Sequence, residues 1–257
     1  MTITTGGLIR EAWAAVRAHG WTAFRISVIP FALLFVLGWL ESAGVNVLVG
    51  LVTGFLTDLL CSVVAVRLQR LILIGEMPPA RNFGFAVGPV ELAYAIWVFL
   101  LTDLPLSLTK TLSASFPGLE GAYGWMLIAS FVGLFCAIFF IRNFAVLPAV
   151  ALSGAPARAD FKAAFLEASS ASRPAWWPVL FAEMAYGIAV MAVFLPLWAL
   201  PRGDLDWAGR LSTAAVGAAA ALVEIVFEAA IVSKAYAALD LSGTSLPRPR
   251  SGDIDPA

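Results

Sequence analysis

Apolar residues along the chain fall into six long runs, which polar or amphipathic segments separate. A helix that crosses a hydrocarbon core of about 30 Å needs roughly 17 to 25 residues, and every run meets this requirement. In lipid such a run must be helical, because a lone strand would leave its backbone polar groups without partners. We place the six predicted spans near Phe24 to Leu40, Val45 to Val66, Leu92 to Leu108, Tyr123 to Ile141, Ala175 to Leu200 and Leu211 to Ser233.

Two shorter segments have the apolar periodicity of amphipathic helices. In residues 6–19, Leu8, Ala12 and Trp13 share a helical face with Ile9 and Val16, and the two arginines lie off that face. Residues 157–172 have a similar pattern, and both segments lead into an outward-running span. Such helices are typical of a membrane interface, so we predict two interfacial helices and a repeated unit of interfacial helix plus span.

Composition supports a membrane environment and one domain. Hydrophobic residues make up 61% of the chain and charged residues 13%, whereas about a quarter of the residues in soluble domains are charged. We predict a single transmembrane domain over residues 1–241, and a polar, Pro-rich cytoplasmic tail over residues 242–257 that is disordered. The net charge of -1 excludes nucleic acid as a partner, because no excess of basic residues can neutralise phosphates.

The distribution of basic residues predicts the orientation. If the N-terminus is inside, all but three of the 16 lysines and arginines lie in inner segments, and the three exceptions are Lys110, Arg202 and Arg210. Cytoplasmic segments of membrane proteins carry this excess of positive charge. The sequence therefore predicts six spans with both termini in the cytoplasm.

Ionisable residues inside the spans are the candidate functional groups. At about 1.5 Å per helical residue, Asp58, Glu183 and Glu224 fall in one layer about 10 Å above the inner boundary. Glu228 lies one turn below Glu224 on the same helical face. The basic side chains of Arg142 and Arg67 lie near that boundary, within reach of the layer.

Two interpretations of this layer stay open. An unpaired charge at the centre of a bilayer costs about 3 kcal/mol, so the acids must be protonated, paired or hydrated. In the first interpretation they form a buried structural network with Arg142 or Arg67 as counter-ion. In the second, protonation of Glu183 or Glu224 in a cytoplasm-facing polar cavity drives the transport of a small solute or lipid.

The sequence gives little support for an enzyme. The one histidine, His19, lies in the N-terminal amphipathic segment, which disfavours Ser-His catalysis or a His-based metal site within the membrane. Asp58 and Asp103 both occur in the sequence "LTDL" on consecutive spans, which leaves an intramembrane aspartyl protease as an alternative with Asp103 as a secondary candidate. The Tyr-Asp and Gly-x-Gly-Asp patterns of those proteases are missing, so we predict no catalytic residue, no metal site and no cofactor.

Three features of the chain carry a resemblance to known proteins: an amphipathic helix with Trp13, the Arg142-Asn143 pair before a Pro-containing helix end, and the second amphipathic helix. The chain resembles the bacterial six-span inner-membrane proteins of the YciC type and the membrane domains of some glycerophosphodiester phosphodiesterases. The resemblance implies an all-α, six-helix bundle of largely unassigned function and provides no catalytic residues.

These expectations lead to one functional hypothesis and one alternative. We predict a non-enzymatic, polytopic inner-membrane protein with a structural, partner-binding or membrane-maintenance role. A proton-linked transporter is the alternative. The expected partners are membrane lipids and either a second copy in a homodimer or a larger inner-membrane complex.

Overall fold

The computed structural model is mostly helical in the part of the chain that it describes, which is residues 3–41, 47–101, 131–132, 135, 138–139, 141–153, 161–198, 207–242, 244 and 246–249. No strand occurs among these residues. The helices are α1 (Thr5–Ala18), α2 (Gly20–Glu41), α3 (Val47–Ile74), α4 (Pro89–Leu101), α5 (Val146–Ser153), α6 (Phe161–Ser172), α7 (Trp176–Trp198) and α8 (Trp207–Ala237). Short 3₁₀ turns occupy Arg81–Gly84 and Arg173–Ala175.

Five segments within the described residues are long and apolar enough to cross a membrane. They are Thr5–Leu40, Leu51–Ile74, Arg81–Leu100, Leu166–Phe194 and Gly209–Ala237. These segments contain all of the first and sixth predicted spans, most of the second and fifth, and the first part of the third. Most of the fourth predicted span and the end of the third lie outside the described residues, although every described residue from 131 to 142 is helical.

Helix α3 is longer than its sequence predicts. The predicted span ends at Val66, whereas α3 runs to Ile74 and includes Arg67 and Arg70. Each arginine has an acidic partner: Arg67 pairs with Glu91 and Arg70 with Glu76. The helix therefore continues past Arg67 and Arg70, although hydropathy predicts the end of the span just before them.

Helix α8 is the central element of the described bundle. It packs against α1, α2, α3 and α7, while α3 in turn contacts α2, α4 and α5. Small side chains on α8 allow its neighbours to pack against it, since alanines such as Ala218, Ala229 and Ala230 are buried. Small residues at such contacts let membrane helices pack by close van der Waals contact.

The best-packed part of the core lies at one end of the bundle. Its fully buried side chains come from the second half of α3, the start of α4, α5, the start of α7 and the end of α8, and include Leu68, Tyr94, Phe144, Val179 and Tyr236. Arg67, Arg70 and Arg142 lie in or next to these stretches. The same end contains the polar contacts described below.

A turn after α3 closes this end of the bundle. The 3₁₀ turn Arg81–Gly84 packs on α2 and contains Asn82 and Phe83 at positive φ, a conformation that is uncommon for residues other than glycine. Gly84 is also at positive φ, and a Cβ atom there would lie 3.0 Å from Cγ2 of Ile26. Arg25 Nη2 donates a hydrogen bond to the Pro78 carbonyl at 3.2 Å. Arg25 thus ties the segment that follows α3 to α2.

The described residues at the start of the C-terminal tail contact the bundle, and the predicted disorder of residues 242–257 stays a prediction. The Ser242 amide donates to Oδ1 of Asp240 at 2.9 Å, an Asx turn that also holds the pKa of Asp240 below its usual value. Leu246 is buried, and the Tyr236 hydroxyl donates to the Pro247 carbonyl at 2.6 Å. These contacts reach Pro247, and residues 243, 245 and 250–257 lie outside the described part.

Both predicted amphipathic segments contain helices. Helix α1 buries Leu8, Ala12 and Ala15 against α7 and α8, whereas Trp13 is half exposed and stacks on Phe227 at 5.4 Å between ring centroids. Helix α6 begins at Phe161, and residues 154–160 lie outside the described residues. The positions of both helices relative to a membrane surface stay predictions.

Candidate functional site

An ion pair between α3 and α4 is the strongest polar contact inside the bundle. Nη2 of Arg67 lies 3.0 Å from Oε1 of Glu91, and these side chains are only 14% and 4% exposed. Glu91 also accepts a hydrogen bond from the Gly88 amide at 3.0 Å through Oε2. Because Glu91 is in the first turn of α4, its carboxylate neutralises an arginine, caps a helix and interacts favourably with the helix dipole.

A second buried contact joins the same two helices. Nε2 of Gln69 donates to the hydroxyl of Tyr94 at 3.0 Å, and both side chains are almost completely buried. Tyr94 follows Glu91 by three residues on α4, so the two contacts lie on adjacent turns of that helix. Together they fix α3 against α4 through polar groups within an apolar core.

Sequence reasoning missed Glu91, Gln69 and Tyr94. It considered only acids far from the ends of the predicted spans, whereas Glu91 comes just before the third span begins. A signal was present: an acid three residues after Gly88, in the first turn of an apolar helix, is typical of a helix N-terminus. That signal identifies the cap, but it does not identify Arg67 as the partner.

Three of the four predicted acids form a cluster between α7 and α8. Glu183 lies on α7 and interacts electrostatically with Glu228 and Glu224, both on α8. Glu183 and Glu228 are half-buried, while Glu224 is exposed at the surface of the bundle. Oε1 of Glu183 is buried and has no hydrogen-bond partner among the described residues. The cluster therefore brings three carboxyl groups together.

Aromatic residues surround this acidic cluster. The Tyr186 hydroxyl donates to the Val223 carbonyl at 2.7 Å, and its ring stacks on Phe227 at 4.7 Å between centroids. Tyr94 is also within electrostatic range of Glu228 and Glu183. The acids thus lie next to the polar contacts of α4, toward the better-packed end of the bundle.

The remaining predicted residues are placed differently. Asp58 is buried on α3, where the Ser62 hydroxyl donates to its carbonyl at 2.6 Å, and its membership of the acidic layer stays a prediction. Asp103 lies outside the described residues. Arg67 takes Glu91 as its partner, and the Arg142 guanidinium lies over the ring of Trp176, 4.9 Å from its centroid. Among the described residues, no ion pair joins either arginine to Glu183, Glu224 or Glu228.

Two cavities flank α8, and their walls are almost entirely apolar. One, of about 460 Å³, lies between α1, α7 and α8 and is lined by residues such as Trp13, Tyr186 and Phe227. The other, of about 580 Å³, lies between α2 and α8 and includes Phe24 and Phe31. Neither cavity is lined by one of the predicted acids. Within the described residues, no group of three or more His, Cys, Asp and Glu side chains could hold a metal ion.

Comparison of the chain with protein-family models, with curated proteins and with solved structures finds no match. Functional conclusions about this chain therefore rest on its residues and their geometry.

Proposed function

We propose that this chain is a non-enzymatic integral protein of the bacterial inner membrane, with a structural, partner-binding or membrane-maintaining role. Its five apolar helical segments support membrane insertion, and the excess of basic residues in the predicted inner segments supports six spans with both termini inside. The sequence resemblance to the YciC-type proteins supports the same architecture.

The Arg67–Glu91 ion pair is the observation that carries the non-catalytic part of this proposal. Both charges are buried, and both are engaged in holding α3 against α4. A catalytic acid or base needs access to a substrate within hydrogen-bond distance. Charged groups that pair with each other between packed helices stabilise the bundle and do not contact a substrate.

The surface of the described bundle supports lipid, or a second copy, as partner. Large apolar side chains are exposed along one face of α7, with the spacing of successive helical turns: Trp177, Phe181, Met184, Ile188 and Met191. The two cavities beside α8 have the size of ordinary ligand pockets, and their walls are almost entirely apolar. Acyl chains or an apolar helix fit such surfaces.

Purification of the full chain in mild detergent, followed by mass spectrometry of what remains bound, tests this proposal. We expect phospholipid or a defined protein partner at a fixed ratio to the chain. Reconstituted vesicles should show no change in proton permeability relative to vesicles without protein. A chain that carries no lipid or partner and acidifies the vesicles under a pH gradient would contradict the proposal.

The acidic cluster supports a second candidate, a proton-linked transporter. Glu183, Glu224 and Glu228 are close together, and no described basic residue forms an ion pair with them. Carboxylates in that situation within a bilayer are typical of proton relays. A transporter would give a proton flux that Glu183→Gln abolishes without a change in melting temperature.

A further inference from the structure

We propose that a basic pocket beside α6 binds a phosphate group at the inner membrane surface, carried by an anionic lipid headgroup or by a soluble phosphate. The pocket has a volume of about 380 Å³ and is lined by Arg142, Leu166, Ser169, Ser170, Arg173 and Trp176. It is separate from the acidic cluster and from the apolar cavities. The proposal rests on the membrane topology proposed above, but it requires neither the structural role nor the transport role.

The pocket combines positive charge with hydroxyl groups. Arg142 and Arg173 are both exposed, and neither forms an ion pair within the described part of the chain. Guanidinium groups bind phosphate oxygens in pairs through parallel N–H donors, and hydroxyls add further hydrogen bonds. Ser169 and Ser170 supply these hydroxyls, although Ser170 already donates to the Glu167 carbonyl at 2.9 Å.

Arg142 is held in position before any ligand binds. Its guanidinium stacks over Trp176, and the indole Nε1 of Trp176 donates to the Ser172 hydroxyl at 3.3 Å. The same hydroxyl donates to the Arg142 carbonyl, and Ser172 is completely buried. One serine therefore fixes both the backbone of the arginine and the ring beneath it, which reduces the entropy that binding would cost.

The local helix geometry places the other groups on the same side. Leu166, Ser169, Ser170 and Arg173 follow the spacing of one helical face along α6 and the turn after it. Helix α7 begins at Trp176, and the N-terminus of a helix favours an anion nearby. Leu166 is 56% exposed at the rim and provides an apolar surface next to the charged groups. This combination suits a headgroup with attached acyl chains, and its charged half suits a free phosphate as well.

Binding measurements on the purified full chain in a neutral detergent test the proposal. Three probes separate the sources: phosphatidylglycerol, phosphatidylcholine as the zwitterionic lipid, and inorganic phosphate. We expect phosphatidylglycerol to raise the melting temperature in a saturable way and phosphatidylcholine to have a smaller effect. Saturable binding of inorganic phosphate, without binding of phosphatidylglycerol, would support the site and identify a soluble phosphate as its ligand.

Two variants and one control connect the binding to this pocket. Arg173→Gln should lower the affinity for the bound probe at least about tenfold, since it removes one charged hydrogen-bonding group. Arg142→Lys keeps the charge but loses the planar fork and should give an intermediate loss. Arg10→Gln removes an exposed charge outside the pocket and should bind as the wild type does.

Arg173 makes no described side-chain contact, so its variant should fold normally, and the melting temperature without probe verifies this. The proposal is overturned if none of the anionic probes binds. The proposal is also overturned if Arg173→Gln and Arg142→Lys both bind the probe with the affinity of the wild type.

Discussion

Arg67 and Glu91 form a buried ion pair, with 3.0 Å between Nη2 and Oε1, at the end of the bundle where the core is best packed. Removing one partner of such a pair leaves the other as an uncompensated buried charge. We expect Arg67→Ala to lower the free energy of unfolding by about 3 to 5 kcal/mol. The double variant Arg67→Met/Glu91→Leu should recover most of this loss, because an apolar pair restores the packing without a stranded charge. Unfolding of the purified chain in mild detergent measures both effects.

The Arg70–Glu76 pair provides the matched control for that experiment. Its atoms are 2.7 Å apart, but the side chains are 24% and 40% exposed. Solvent screening reduces the value of such a pair, so Arg70→Ala should cost less than about 1 kcal/mol. Equal losses for Arg67→Ala and Arg70→Ala would contradict the assignment of Arg67–Glu91 as the stabilising pair.

The Gln69–Tyr94 contact gives a second prediction. In Tyr94→Phe, the ring still fills its site but Gln69 Nε2 loses its acceptor, which should cost about 1 to 3 kcal/mol. Tyr186→Phe is the control, because its hydroxyl donates to a carbonyl within α8 at a more exposed position. The same detergent unfolding assay compares the two variants, and a Tyr94→Phe protein as stable as the wild type would argue against the contact.

The helical spans could be predicted from the sequence because length and hydropathy act locally. The predicted ends at Leu40 and Ser233 lie within a few residues of the ends of α2 and α8. The partner of Arg67 could not be predicted in this way. The helical rise predicts the depth of a residue in the bilayer. It does not predict which way the side chain points around the helix, or which helix packs against it.

The repeated unit of amphipathic helix plus span stays a prediction, in which one alignment places Ala12 on Ala168 and Trp21 on Trp177. Trp21 and Trp177 occupy equivalent positions in the two units, and they are 75% and 66% exposed. Each stacks on a phenylalanine one turn later, Phe24 at 5.7 Å and Phe181 at 6.0 Å between centroids. Ala12 and Ala168 are also equivalent and both are buried. The two phenylalanines are not aligned with each other, since Phe24 corresponds to Leu180 at the same offset.

The contact of the tail with α8 leads to a third prediction. Tyr236→Phe removes the hydrogen bond to the Pro247 carbonyl, worth about 1 kcal/mol, and should loosen residues 240–249. The Thr244 amide, which donates to the Leu241 carbonyl at 3.2 Å, should then exchange its hydrogen roughly fivefold faster or more. Hydrogen exchange followed by mass spectrometry measures this, and Tyr186→Phe should leave that amide unchanged. Unaltered exchange in Tyr236→Phe would show that Leu246 alone holds the tail.

The predicted topology can be tested by cysteine labelling in intact cells. In a background without the native Cys61 and Cys136, Ser113→Cys should react with an impermeant reagent added from outside. Ser251→Cys should react only after the membrane is permeabilised, because the basic residues predict a cytoplasmic C-terminus. Reaction of Ser251→Cys in intact cells would contradict the six-span arrangement.

The acidic cluster leads to the last prediction, which separates the two proposed functions. Glu228 is half-buried and lies within the electrostatic range of Glu224 and Glu183, and no described basic residue pairs with it. Replacing it with Gln keeps hydrogen-bonding capacity and removes a carboxyl group whose ionisation burial and the neighbouring acids oppose. We therefore expect Glu228→Gln to leave the melting temperature in detergent unchanged or higher. Glu228→Ala is the comparison, since it also removes packing atoms and should lower stability by about 1 to 3 kcal/mol.

Proton flux into reconstituted vesicles then distinguishes the two roles. For a structural protein, vesicles with the wild type and vesicles with Glu228→Gln both show the flux of empty vesicles. A flux in the wild type that Glu228→Gln abolishes at unchanged stability would establish the transporter and refute the structural role.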